Sequence, residues 1–283
     1  MSVHTAPVSV ATEAPSRSPQ RPWRYLDKGT PEGVLAFAHR GGALHPDNRH
    51  LENTLAGFRH AYGLGYRHLE TDVHLSADGV LVAFHDDSLD RVTDGTGLIA
   101  TLPYAEIACA RIAGKHHVPT MAELFEALPD AAFNIDLKAD GCGAALWQLI
   151  EQYDAHDRVL VGSFSTRRLR EFRRISGGRV PTSAGPAEVA AYRLSPSGRL
   201  AKLLLRGGPD ALQVPRRSTR IPLATARMVR KAHAAGIQLH VWTVDDPSDI
   251  QQLIDRGVDG VMTDRTDTLR TVLSQRGLWR EHQ

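Results

Sequence analysis

Cysteine is almost missing: this 283-residue chain has two, Cys109 and Cys142, with no CxxC pair. That spacing excludes a finger-type zinc framework and a disulfide scaffold, and a reducing compartment is the expected home. No run is long and apolar enough to span a bilayer. The opening stretch "MSVHTAPVSVATEAPSRSPQRP" lacks the basic start and unbroken apolar core of a signal peptide, so a soluble cytoplasmic protein without an integral membrane segment is expected. An excess of one charge is also lacking. With 34 Lys and Arg against 32 Asp and Glu, the net charge of +2 sets up no field that would recruit nucleic acid or an anionic membrane. The basic stretch "RRLREFRR", residues 167–174, has helical spacing and reads as a solvated face. Neither GxGxxG nor GxxxxGK[ST] occurs, which argues against an open doubly wound sheet with a phosphate turn after its first strand.

What is present is alternation. Residues 1–30, rich in Ser, Pro, Thr and Ala without periodicity, read as a flexible tail. From residue 31 to 283, short β-rich runs alternate with amphipathic stretches, as βαβ units do. The runs are 35–40, 67–75, 80–86, 132–138, 158–164, 179–185, 211–215, 237–244 and 258–264. Ser165 and Thr166 supply a helix start, as do Pro247 and Ser248, and Gly236 and Gly257 stop helices. About eight strands interleaved with helices predict a single-domain α/β fold, a (β/α)8 TIM barrel. One segment, roughly 86–118, is too polar and turn-rich for an ordinary connection and reads as a small insertion after the run that carries His85.

Strand side chains alternate, so residues two apart share a face. In "LETDVH" that places Glu70, Asp72 and His74 together, and in "FNIDLK" it places Asn134, Asp136 and Lys138 together; His85 ends "LVAFH". A merely wet antiparallel face would mix Thr, Ser, Lys and Arg, whereas these faces are selectively carboxylate and imidazole. In a parallel barrel such groups near the strands' C-terminal ends line the mouth. Carboxylates gathered there raise one another's pKa unless a cation joins them, and all-oxygen ligands favour a hard divalent ion, Mg²⁺ or Ca²⁺. Glu70, Asp72 and Asp136 with one such ion, Lys138 and Arg40 leave one net positive charge, suited to a singly charged phosphodiester.

"AHRGG" at 38–42, "ENTLAGF" at 52–58, "HLETDVHLSADGVLVAFHDDSLDRVTDGTG" at 68–97, then "VWTVDD" and "GVDGVMTD", resemble the glycerophosphodiester phosphodiesterases in order and spacing. The likeness runs from about residue 35 to 270. It implies a metal-dependent barrel that hydrolyses glycerophosphodiesters to an alcohol and glycerol 3-phosphate. It also implies His39 and His85 as the acid–base pair; the assignment taken, His39 as base and His85 as acid, is a hypothesis that the resemblance does not supply. By the same resemblance Glu70, Asp72 and Asp136 hold the ion, Arg40 and Lys138 grip the phosphate, Asn53 steadies the metal or its water, Glu52 contacts the site, and Trp242 lines the mouth. The chain departs from the family pattern in two places: Leu51 stands where Pro usually precedes "ENT", after the long loop "ALHPDNRH", and the third metal acid is Asp136 where Glu is more common.

Two other functions stay open at the level of sequence. One is a sphingomyelinase D-like phospholipase that forms cyclic phosphate from lysolipids, which "DLK" and "WTVD" would also suit. The other is a non-catalytic barrel that binds a phosphorylated ligand. His74, Asp86, Asp87, His116, His117 and His240 are secondary candidates; Asp86 and Asp87 either orient His85 or only turn the chain, and His240 is expected to line the barrel.

Overall fold

The structure is a computed structural model that describes residues 23–28, 30, 32–205, 208–218 and 221–280. Its strands are β1 (Leu35–His39), β2 (His68–Leu75), β3 (Leu81–Ala83), β4 (Ala132–Leu137), β5 (Val159–Gly162), β6 (Ala211–Pro215), β7 (Arg217–Ser218), β8 (Ile221–Pro222), β9 (Gln238–Trp242) and β10 (Gly260–Thr263). Seven of them form a parallel path, β5-β4-β2-β1-β10-β9-β6. The gap between β5 and β6 is crossed by single bridges, Val161 with Thr182 and Ser183 with Ala211, both parallel. The run at 179–185 therefore contributes two bridging residues in place of a full strand, and the (β/α)8 barrel is incomplete on that side.

Helices start where a side-chain oxygen replaces a missing backbone acceptor. Thr54 accepts the Gly57 N–H ahead of the helix Leu55–Gly63, Ser165 accepts that of Arg168 ahead of Thr166–Ile175, and Thr120 forms a full capping box with Glu123. Pro247 is the first residue of its helix, but the capping oxygen comes from Asp246, not Ser248. In the helix Thr166–Ile175, Leu169 and Phe172 are buried while the basic residues flank them.

Strand alternation divides the interior into two cores. Ala38, Leu69, Val73, Phe133, Ile135, Leu137, Val159 and Val161 face the helices. Leu35, Phe37, Leu160, Ala211 and Met262 fill the barrel with Tyr25. Tyr25 comes from the segment taken as tail. Residues 1–22 lie outside the described residues, whereas 23–28 plug the barrel floor: Trp23 Nε1 donates to Asp210 Oδ1 at 2.8 Å, Gln238 Nε2 donates to the Leu26 carbonyl at 2.7 Å, and Lys28 pairs with Asp259 at 2.8 Å. Tyr25 and Leu26 bury apolar surface against the barrel interior, which holds this segment in place.

The run at 80–86 is not a barrel strand. β3 pairs antiparallel with the end of β2, Val73 opposite Ala83 and Leu75 opposite Leu81. The cause is the Asp78-Gly79 turn, with Gly79 at φ 82°, a hairpin connection too short for a parallel crossover. From β3 the chain enters the segment 86–118, whose Leu89, Ile99, Ile107, Ala110 and Ile112 make a separate small core with Val82, Phe84 and Val118.

Candidate active site

β1, β2 and β4 deliver the site because their registers match. His39 pairs with Glu70, Glu70 with Asn134, and Asp72 with Asp136, so these inward residues sit in adjacent rows at the strands' C-terminal ends. They line a cavity of about 760 Å³ together with Arg40, His85, Lys138, Phe164, Gln213 and Trp242.

Three consecutive left-handed residues turn the chain out of β1: Arg40 (φ 48°), Gly41 (φ 86°) and Gly42 (φ 84°). At Gly42 a Cβ would come within 2.5 Å of the Thr266 side chain, so only glycine fits. The Arg40 backbone is strained for a residue with a side chain, and the turn directs its N–H to Glu70 Oε2 at 3.1 Å.

Each histidine is held by a carboxylate. His39 Nδ1 lies 2.8 Å from Asp264 Oδ1, and its Nε2 is 3.8 Å from Glu70 Oε2. His85 Nδ1 lies 2.6 Å from Asp86 Oδ1. In both rings Nδ1 donates its proton to the carboxylate, so proton exchange with a substrate falls to Nε2. Burial disfavours the His39 cation, but Glu70 and Asp264 outweigh it and raise the pKa of the ring. His74 Nε2 contacts the His85 carbonyl oxygen at 3.1 Å, so His74 supports the backbone from beneath. Arg91 joins Asp86 to Glu52, with its Nη2 2.6 Å from Glu52 Oε1.

The acids differ in charge state because their neighbours differ. Burial, then Asp72, lifts the Glu70 carboxyl to about 7. Asp72 is just as buried, yet Lys138 at 2.8 Å and Arg40, whose Nε is 3.2 Å away, hold it below its ordinary range. Asp136 also lies 2.8 Å from Lys138, but for this carboxyl burial prevails and its pKa rises. Asn53, itself at φ 55°, donates from Nδ2 to Asp72 Oδ2 at 3.2 Å and accepts the Thr71 hydroxyl at 2.9 Å.

Of the residues singled out in the sequence, His39, His85, Glu70, Asp72, Asp136, Arg40, Lys138 and Trp242 line the same cavity. Asn53 and Glu52 stand one layer back: Asn53 orients Asp72, and Glu52 binds Arg91 and Arg40. His116 and His117 do not line the cavity; His117 contacts Glu123 on the helix Met121–Ala127. His240 is wholly buried in the barrel. Three contributors were not singled out: Asp264, Arg91 and Phe164. Asp264 closes the quoted "GVMTD" and Phe164 closes the run 158–164, so position at a strand end was their only signal.

Two cationic side chains stand among the acids Glu70, Asp72 and Asp136: the Lys138 ammonium lies 2.8 Å from both Asp72 and Asp136, and the Arg40 guanidinium has its Nε 3.2 Å from Asp72. The donor set still fits a hard cation: all ligand atoms are oxygen, and the Glu70 carboxyl, pushed to about 7 by buried negative charge, is the one that added positive charge would ionise.

A barrel whose C-terminal rim gathers two oriented imidazoles, three acids and two cationic side chains has the architecture of an enzyme acting on an anionic ester. Residues 39–268 match the model of the Glycerophosphoryl diester phosphodiesterase family, and the chain belongs to that family; it is a phosphoric diester hydrolase. It is 39% identical over 249 residues to the "Probable glycerophosphodiester phosphodiesterase 2" of Mycobacterium tuberculosis, covering 87% of this chain and 93% of that protein. It is 29% identical over 266 residues to the glycerophosphodiester phosphodiesterase of Caldanaerobacter subterraneus, covering 86% of this chain and 99% of that protein. Among solved structures it superposes with TM-score 0.71 and 25% identity on a phosphodiesterase of Oleispira antarctica in complex with the product sn-glycerol-3-phosphate, covering 86% of this chain and 97% of the other. These matches favour the first of the three functions that the sequence leaves open. The family is generally dependent on a divalent metal. Among the described residues no helix is long and apolar enough to cross a membrane.

Proposed function

We propose that this enzyme hydrolyses glycerophosphodiesters to an alcohol and glycerol 3-phosphate with His39 and His85 as its acid–base pair. The observation that carries the reading is their shared arrangement: both rings have Nδ1 against a carboxylate and line one cavity. A neutral ring in this state takes a proton at Nε2, and a protonated one gives it back. His39 acts as base on the attacking hydroxyl and His85 protonates the leaving oxygen; where the hydroxyl is water the product forms directly, and where it is the substrate's own glycerol a cyclic phosphate forms that water then opens to glycerol 3-phosphate. Arg40 and Lys138 bind the phosphoryl oxygens and offset the charge that grows on them as the bond breaks.

Glu70, Asp72 and Asp136 would hold a divalent cation, Mg²⁺ or Ca²⁺. When bound, such an ion polarises the phosphoryl group and lowers the pKa of an oxygen nucleophile. Asn53 keeps the Asp72 carboxylate in place from behind, and Trp242, packed edge-on against Phe164 at 5.5 Å, gives the alcohol or glycerol an apolar wall. The sparse cysteines support the cytoplasm as its location.

A release assay for glycerol 3-phosphate tests this, with glycerophosphocholine, glycerophosphoethanolamine and lysophosphatidylcholine offered in parallel. The first two should turn over, and His39→Ala and His85→Ala should each cost about 10²–10⁴-fold in rate while circular dichroism stays unchanged. A fully active His39→Ala enzyme, or cyclic phosphate from lysophosphatidylcholine as the sole product, would defeat the assignment.

A further inference from the structure

The loop between β1 and the helix Leu55–Gly63 carries a group of side chains for which the hydrolysis has no use. His45 is buried, Asp47 exposed and His60 half-buried on that helix, and one donor atom from each lies within 4.8 Å of the others. The two rings face each other with centroids 4.6 Å apart at 55°. His60 Nε2 is buried and has no hydrogen-bond partner. A ring nitrogen stripped of water and given nothing in exchange is a standing cost to the fold, and such groups call for an explanation.

We propose that His45, Asp47 and His60 form a second metal site, for a borderline divalent ion of the Zn²⁺ class, separate from the oxygen-lined position at the barrel mouth. Two imidazoles and one carboxylate are a Zn²⁺ donor set, whereas Mg²⁺ and Ca²⁺ select oxygen alone. Three protein ligands leave the fourth tetrahedral position to water. Zn²⁺ would bind its donors at about 2.0–2.1 Å, and exposed Asp47 has the freedom to adjust to that geometry.

The proton balance makes the loop part of the site. His45 Nδ1 now accepts the Asp47 N–H at 3.1 Å, so Nε2 holds the ring proton. If Nε2 ligates, that proton moves to Nδ1; if Nδ1 ligates, the ion replaces the N–H. Either way the Asp47 N–H bond opens and the turn Pro46–Asn48 adjusts. The same loop is fixed at its ends: the Leu44 N–H bonds the Asp264 carbonyl at 3.0 Å, and Asn48 Nδ2 bonds the carbonyls of Gly41 and Gly57 at 2.8 and 3.1 Å. A bound ion would thus staple the loop that follows His39 and Arg40 to the first helix.

The test is metal binding by the full chain, stripped by chelator and dialysed against Zn²⁺, with Co²⁺ as a spectroscopic probe. Asp136→Asn serves as background, to weaken the oxygen-lined position. In that background the chain should still retain one Zn²⁺ and give the strong visible absorption of four-coordinate Co²⁺. Adding His60→Ala should abolish both, and adding Asp47→Asn, an exposed change that spares the fold, should weaken Zn²⁺ about tenfold or more. Zn²⁺ should also raise the melting temperature of the background protein, raise it less for the Asp47→Asn double variant and leave that of the His60→Ala double variant unchanged. Zn²⁺ uptake and Co²⁺ absorption unaltered by both added substitutions would overturn the proposal, as would failure of the folded Asp136→Asn chain to retain Zn²⁺.

Discussion

Asp264, one residue past the last barrel strand, holds Nδ1 of His39, the last residue of the first strand, at 2.8 Å across a separation of 225 residues. The contact exists only because β1 and β10 are neighbours, Ala38 opposite Thr263. The carboxylate fixes the tautomer that leaves Nε2 free. Asp264→Asn puts an amide beside that nitrogen, which can donate to Nδ1 and drive the proton onto Nε2. Turnover should fall at least about 10²-fold with KM changed little. Steady-state kinetics on glycerophosphocholine check this, and a normal kcat in the Asp264→Asn variant would show that the ring needs no such partner.

That pair also marks how far the sequence could be read. Glu70, Asp72 and Asp136 were legible because strand alternation and parallel register are local rules carried by β2 and β4. Asp264 and Phe164 were not, since each depends on which strand ends become neighbours when the barrel closes. β3 is a different case: "ADGV" carries the Asp-Gly signal of a tight hairpin, yet its apolar run reads equally well as a barrel strand until the turn is weighed. At 23–28 two aromatics and a leucine in a polar context give too little periodicity to reveal that they close the barrel floor.

The acids of the mouth should make activity depend on a divalent ion. Dialysis against chelator should remove activity and Mg²⁺ or Ca²⁺ should restore it, the comparison of the two showing which is preferred. Glu70→Gln should raise the concentration of ion needed for half-maximal activity, about tenfold or more, because it removes the carboxylate with the greatest need of positive charge. Activity indifferent to chelation would contradict the role given to these acids.

Phe164 stands two-thirds exposed at the mouth, edge-on to Trp242, and the Lys138 ammonium lies 5.6 Å from its ring centroid. On the proposed mechanism the two rings are the wall that meets the group leaving the phosphate, and neither takes a proton. Phe164→Ala should therefore raise KM about threefold to tenfold and spare kcat, consistent with roughly 0.5–1.5 kcal/mol for an aromatic pair. An equal drop in kcat would instead mean that the ring positions Lys138.

Deep in the barrel His240 should give the fold an acid-sensitive stability. Its Nε2 contacts Gln238 Oε1 at 2.9 Å and its Nδ1 accepts from Gln213 Nε2 at 3.3 Å, so the packed ring is neutral, and a second proton at Nδ1 would face a donor. Burial pushes its pKa down to about 3 from an ordinary 6.5. Above pH 6.5 neither folded nor unfolded chain protonates the ring, and its contribution is whole. Between 6.5 and 3 the unfolded chain binds a proton that the folded one refuses, so stability falls as pH falls, by roughly 1.4 kcal/mol per pH unit where this group acts alone. Urea unfolding of the wild type and His240→Gln from about pH 7.5 to about pH 4.5 isolates the effect from other groups that titrate there. The wild-type curve should drop more steeply on acidification, and parallel curves would mean that the ring titrates alike in both states.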